Sequence, residues 1–209
     1  MIIEGRVQTS DNAGGEGSIQ QLRLGKSGEA FVADAHGRYY DACRRLNLYA
    51  YNLTAVTALS VSSTTSTGLI CYNPAVSPKA VSLIDVIIST ATLPAAQFSF
   101  ALVAGIQSIL PTGLTLTNTA IQNLAFGKGS AATSAIATSS AATVQAVAVV
   151  REISGGGAAA TTAQITPVYI RDEIAGLYTF YPGTQFSVQA VTTAVSVLMT
   201  YVGEEVPAV

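Results

Sequence analysis

Tryptophan is missing from this 209-residue chain, histidine occurs once, cysteine twice, and only 11% of the residues are charged. Each shortage removes a class of function. The single histidine, His36, rules out a two-histidine metal site. It also leaves a Ser-His-Asp relay without convergent partners, since Asp34 and Asp41 are its only local carboxylates. Cys43 and Cys71 have no paired zinc spacing and are too few for a disulfide scaffold, so two buried free thiols are expected. A formal net charge of −2 with no run of five like charges gives no basic footprint, so no nucleic-acid partner is expected.

Long uninterrupted apolar runs are also missing. Residues 86–126 carry no charge, yet Pro94, Gln97, Ser99, Gln107, Ser108 and Pro111 break the stretch. No clean segment of about 18 to 20 apolar residues survives, and no membrane partner is expected. The opening Met-Ile-Ile-Glu-Gly-Arg has no basic region followed by an apolar core, so it does not read as a secretory signal. Asn52-Leu53-Thr54 matches a glycosylation acceptor but reads as an ordinary strand tripeptide.

Phosphate loops and paired carboxylates fail in turn. Gly25-Lys26-Ser27 ends like a phosphate-binding loop, but position 20 is Gln20 where the motif requires glycine, and Gly127-Lys128-Gly129 fails likewise. In the body only Asp85, Glu152, Asp172, Glu173, Glu204 and Glu205 are available as acids, and adjacent pairs on a strand point to opposite faces. Asp172-Glu173 reads as a solvated turn and Glu204-Glu205 as the polar end of the last strand. No Asp-x-Asp-x-Asp pattern suggests calcium. The expectation is a chain without catalytic residues, cofactor or metal.

What charge there is lies unevenly. Twelve charged residues fall in the first 45 positions, three (Lys79, Asp85, Lys128) in residues 46–150, and seven after Val150. Ordinary domains carry about a quarter charged residues, and a low-charge surface protects poorly against association. Much of this surface is therefore expected to be covered by copies of the chain or by a partner.

The leader holds Gly5, Gly14, Gly15, Gly17, Gly25 and Gly28 with little apolar pattern beyond Ile19, Leu22 and Leu24. Such a segment seldom folds alone, and residues 1–32 read as an extended arm ordered against a partner. Residues 33–46 (ADAHGRYYDACRRL) place Tyr39, Cys43 and Leu46 at helical spacing, with Asp34 as N-cap and Asp41 four before Arg45. That is one short helix or connector, weakened by Gly37.

Residues 47–209 form the expected body, where the period becomes two. Phe98, Phe100 and Leu102 alternate with polar or small neighbours, as do Leu114 and Leu116, Phe186 and Val188, and Val195, Val197, Met199 and Tyr201. Residues 81–88 (VSLIDVII) are apolar on both faces except for Asp85, which predicts a central strand covered on both sides. Further strands are predicted over 48–61, 68–72, 144–150, 165–170 and 177–181. Turn signals at Asn73-Pro74, Ser77-Pro78, Pro111-Thr112-Gly113, Gly155-Gly156-Gly157 and Pro182-Gly183 separate them. Residues 127–142 read as a long Ala/Ser/Thr loop. The class is mainly β: an antiparallel, jelly-roll-like β-sandwich with an N-terminal arm and one short helix.

The order of short phrases carries a resemblance. GEAFVADAHGRYY at 28–40 is followed by GLICYNP at 68–74, YPGTQFSV at 181–188 and the close YVGEEVP at 201–207. The chain resembles virion structural proteins of tailed bacteriophages, particularly head decoration or cement proteins. The resemblance implies a homotrimer on the outer capsid surface of the virion, made in the host cytoplasm. Its partner would be the major capsid protein, and it would stabilise contacts between capsomers. Arg6, Arg23, Lys26, Arg44 and Arg45 are the residues expected near partner carboxylates. The alternative is a tail or host-surface glycan-binding module, its platform drawn from Tyr39, Tyr40, Tyr49, Tyr51, Tyr72, Tyr178, Phe180 and Tyr181.

Overall fold

From Leu48 onward the period-two alternation is realised as strands, because alternate side chains of an extended backbone fall on opposite faces. A computed structural model describes residues 4–6, 19–21, 39–61, 65–91, 97–109, 111–112, 121–126, 136–138, 142–145, 147–156 and 168–208. The chain divides into two compact units, Met1–Arg38 and Tyr39–Val209. In the first, β1 (Glu4–Arg6) pairs antiparallel with β2 (Ile19–Gln21).

The second unit opens with helix α1 (Tyr40–Arg44), shorter than the predicted 33–46. Residues 33–38, with the predicted cap Asp34 and with Gly37, lie outside the described residues. Leu46 adopts φ +62°, which ends the helix before the leucine can add to its apolar stripe. Then come β3 (Leu48–Asn52), β4 (Thr57–Leu59), β5 (Thr65–Ser66), β6 (Ile70–Asn73), β7 (Lys79–Thr90) and β8 (Phe98–Ile106). They are followed by β9 (Ile121–Asn123), β10 (Ile136–Thr138), β11 (Ala142–Thr143) and β12 (Ala148–Gly156). The chain closes with β13 (Tyr169–Phe180), β14 (Thr184–Ala190) and β15 (Val195–Pro207).

Two antiparallel sheets result. One has the order β10-β6-β14-β8-β12 and the other β13-β7-β15-β3-β9, with β4 also on β15. Leaving out β9 and β10, the orders are β6-β14-β8-β12 and β3-β15-β7-β13, so chain neighbours occupy matching places in the two sheets. That is the wrapping of a jelly roll, and the predicted β-sandwich stands. A single core lies between the sheets, with Tyr51, Val86, Ile88 and Tyr201 from one and Cys71, Phe100, Leu102, Phe186 and Val188 from the other.

Strand β7 is central, as its two-faced apolar pattern predicts, flanked by β13 and β15. Three expectations need correction. The predicted strand 48–61 is interrupted, its halves β3 and β4 pairing successively with the long β15. Residues 169–170 and 177–180 of the predicted strands 165–170 and 177–181 belong to one strand, β13, and Asp172-Glu173 sits inside it rather than in a turn, while residues 165–167 lie outside the described residues. A bulge explains the misreading: residues 174–177 oppose Ile84 alone, and Ala175 and Gly176 take positive φ there. Finally, β14 was expected to be half-buried, yet Gln185, Ser187 and Gln189 are as buried as Phe186. Ser60 and Thr67 meet that face at Gln189, whose amide donates to the Thr67 carbonyl at 3.0 Å and accepts from the Ser60 hydroxyl at 3.1 Å. The predicted strand at Leu114 and Leu116 and most of the 127–142 loop lie outside the described residues.

Tyr201 joins the sheets. Its hydroxyl accepts from the Val188 N–H at 2.7 Å and donates to the Leu69 carbonyl at 2.9 Å, just where the β6–β14 pairing ends at Ile70 and Ser187. Both backbone groups belong to fully buried residues. Tyr201→Phe should therefore lower stability by about 2 to 4 kcal/mol, the cost of two buried groups left unbonded. Urea midpoints compared at constant slope would measure it; a loss below about 0.5 kcal/mol would mean the ladder closes without the hydroxyl.

Candidate interaction surfaces

The two lateral sides of the sandwich are built differently. On one side β9 pairs with β3 and β10 with β6, so both sheet edges receive a strand from the excursion between β8 and β12. The excursion is tied at its neck: the Gln145 N–H donates to the Gln107 side-chain oxygen at 2.7 Å, and the Ser108 N–H donates to Gln145 at 2.8 Å. On the other side β12 and β13 end their sheets with no further strand among the described residues. The edge of a sheet is where an extended segment can add by main-chain hydrogen bonds.

Charged residues brace that open side. Arg151 of β12 makes two parallel hydrogen bonds to Asp172 of β13, at 2.7 and 2.8 Å, so the bond runs from one sheet to the other. The paired carboxylate holds the guanidinium pKa above its usual value. Beside it the Tyr178 hydroxyl donates to the Val150 carbonyl at 3.0 Å. Arg171, mostly exposed, reaches Oδ2 of the buried Asp85 at 2.6 Å, and the Asp85 hydrogen bond raises its pKa in turn. The lone charge in VSLIDVII is thus paired across the β7–β13 ladder through Oδ2, while its Oδ1 is buried without a hydrogen bond.

Glu205 corrects another expectation. It does not mark a polar strand end, because β15 runs on to Pro207 and Glu205 is fully buried, bonded to Lys79 at 3.1 Å. Odd-numbered residues of β15 point into the core, and Glu205 continues that series after Val197, Met199 and Tyr201. Burial and, secondarily, the Glu205 carboxylate push the Cys71 thiol far above its ordinary pKa. The Tyr49 hydroxyl is raised by the same two causes, opposed by Lys79 and by a hydrogen bond with Asn123. A thiol held protonated is a poor nucleophile and metal ligand. Cys71 is buried and Cys43 half-buried, and both are free. No group of three metal-ligating side chains occurs among the described residues. Among them, too, no helix is long and apolar enough to cross a membrane.

The described residues include three of the five basic residues expected at a partner surface. Arg6 closes β1, paired through its backbone with Ile19. Arg23, Lys26 and the solitary His36 lie outside the described residues. Arg44 ends α1, half-buried and already engaged within the chain, and Arg45 follows it, exposed. Sequence reasoning passed over the apolar tips Val76, Ile106 and Ile109, all exposed, and took the exposed Tyr181 only as part of an aromatic platform. A signal existed, since Val76 sits between Pro74 and Pro78, and a turn tip exposes whatever residue it carries.

Compared with known protein families, curated proteins and solved structures, the chain matches none.

Proposed function

We propose that this protein is a structural component of a bacteriophage virion, a decoration or cement protein that associates with itself, as a trimer, on the outer shell. There it stabilises contacts between copies of the major capsid protein. The observation that carries the reading is the asymmetric jelly roll: one lateral side is closed by the chain's own strands, and on the other β12 and β13 end their sheets with no further strand among the described residues. The edge of a sheet accepts an extended segment through main-chain hydrogen bonds, and the glycine-rich composition of the leader suits it to that role. Repeated weak contacts of this kind become strong together on a symmetrical shell, because each later contact forms at high effective concentration.

The resemblance of the short phrases at 28–40, 68–74, 181–188 and 201–207 to phage head proteins and the low charge content support the same reading. The test is co-sedimentation with capsids stripped of this protein, using the full chain and a chain lacking residues 1–30. The full chain should pellet with the shell and the shortened one should stay in the supernatant with its β-sheet circular dichroism intact. Equal pelleting of both would remove the arm from the mechanism, and no pelleting of the full chain would overturn the proposal.

A further inference from the structure

Three loops meet at one end of the sandwich: residues 74–78 after β6, residues 107–109 after β8, and residues 181–183 between β13 and β14. Gly183 is their junction. Its N–H donates to the Asn73 carbonyl at 2.8 Å, and its carbonyl accepts from the Gln107 N–H at 2.7 Å. A Cβ built at Gly183 would lie 3.7 Å from Ala75 Cβ and 3.9 Å from the Gln107 carbonyl oxygen. The φ of +79° there is one that glycine adopts without strain.

The loops are pinned further from within. The Ser77 N–H donates to the Pro74 carbonyl at 2.9 Å, and the Gln107 side chain donates to the Ile109 carbonyl at 2.8 Å. On this fixed frame Val76 is 93% exposed, Ile106 74%, Ile109 66% and Tyr181 51%. None of residues 74–78, 106–109 and 181–184 is charged. Lys79, at the foot of the first loop, is turned to the buried Glu205.

We infer that this three-loop tip is an interface between copies of the chain. The inference deepens the assembly reading above by naming the surface through which copies meet, and it rests on that reading. Size supports it: the four side chains expose on the order of 500 Å², more than half of the roughly 800 Å² per partner in a standard interface. Charge supports it as well. A patch without charges can meet its own copy about a rotation axis without burying an unpaired ion, whereas an anionic lipid surface would call for lysine or arginine. Backbone pinning keeps the ordering cost of such a contact low.

The test is the solution mass of the full chain by light scattering, for wild type and for Ile106→Lys and Val76→Lys. Both positions are exposed, and near-UV circular dichroism would check that each variant keeps its packing. A discrete wild-type oligomer that dissociates at least about tenfold more readily in both variants is the expected result. A wild-type oligomer that both variants keep would overturn this surface and leave the shell-binding reading standing. A wild type that is monomeric throughout would overturn it too. Flotation of the wild type with phosphatidylcholine vesicles, lost in Ile106→Lys, would overturn it in favour of lipid. The capsid co-sedimentation described above reads shell binding separately, so failure of the two readings is distinguishable.

Discussion

Replacing Phe186 by alanine is expected to lower the stability of the body by about 3 to 5 kcal/mol, the largest effect of any single substitution considered. Phe186 is fully buried on β14, stacked on Phe180 with ring centroids 4.1 Å apart and inclined to Tyr201 at 5.3 Å. Those two partners belong to the opposite sheet, so the ring carries the contact between sheets as well as its own burial. Strands hydrogen-bonded on both sides cannot move inward to refill the space, and the cavity adds to the transfer loss. The urea midpoint should fall with little change in slope. A loss under about 1 kcal/mol would show that the sheets can close over the gap.

The second large effect is alkaline destabilisation. In the folded chain burial pushes Cys71 well above its ordinary 9.0 and Tyr201 well above its ordinary 10.0, the Val188 N–H offsetting part of the tyrosine's rise. A raised folded pKa means that the native state holds its proton while the unfolded chain releases it. The stabilisation linked to each group is therefore complete below the ordinary pKa and is lost as pH rises above it. Stability should stay level with respect to these groups up to about pH 9. Above that the folding equilibrium should weaken about tenfold per pH unit for the thiol, and by a further factor of about ten per unit once the tyrosine passes pH 10. Urea midpoints between pH 8 and 11 would trace this, and Cys71→Ala should move the onset toward pH 10. A midpoint constant through pH 11 would mean these groups ionise without unfolding.

Much of the architecture was legible in the residues themselves. VSLIDVII announced a strand covered on both faces, and β7 is central. Alternation in 97–102, 185–189 and 195–201 located β8, β14 and β15, and Asn73-Pro74 and Pro182-Gly183 fall where the chain leaves β6 and enters β14. These signals are local: a period of two and a turn residue act within a few positions, whatever the rest of the chain does. The candidate surfaces were far less legible. Five basic residues were expected at a partner surface; the described residues hold three of them, Arg6, Arg44 and Arg45.

What only the tertiary structure decided is which faces are covered and which charges meet. Gln185, Ser187 and Gln189 look like a solvent face, yet all three are buried, and Gln189 is bonded to Ser60 and Thr67. Glu205 looks like a polar end until β15 continues and turns it inward to Lys79, 126 positions away. Asp85 and Arg171 are 86 apart. Arg151 and Asp172, only 21 apart, still needed β12 and β13 to fall on the same side of two different sheets. By itself the sequence determined the strands, because each strand's alternation is written within its own residues. Burial and pairing it left open, because they belong to the strand order, and in a jelly roll that order brings together segments that local pattern keeps far apart.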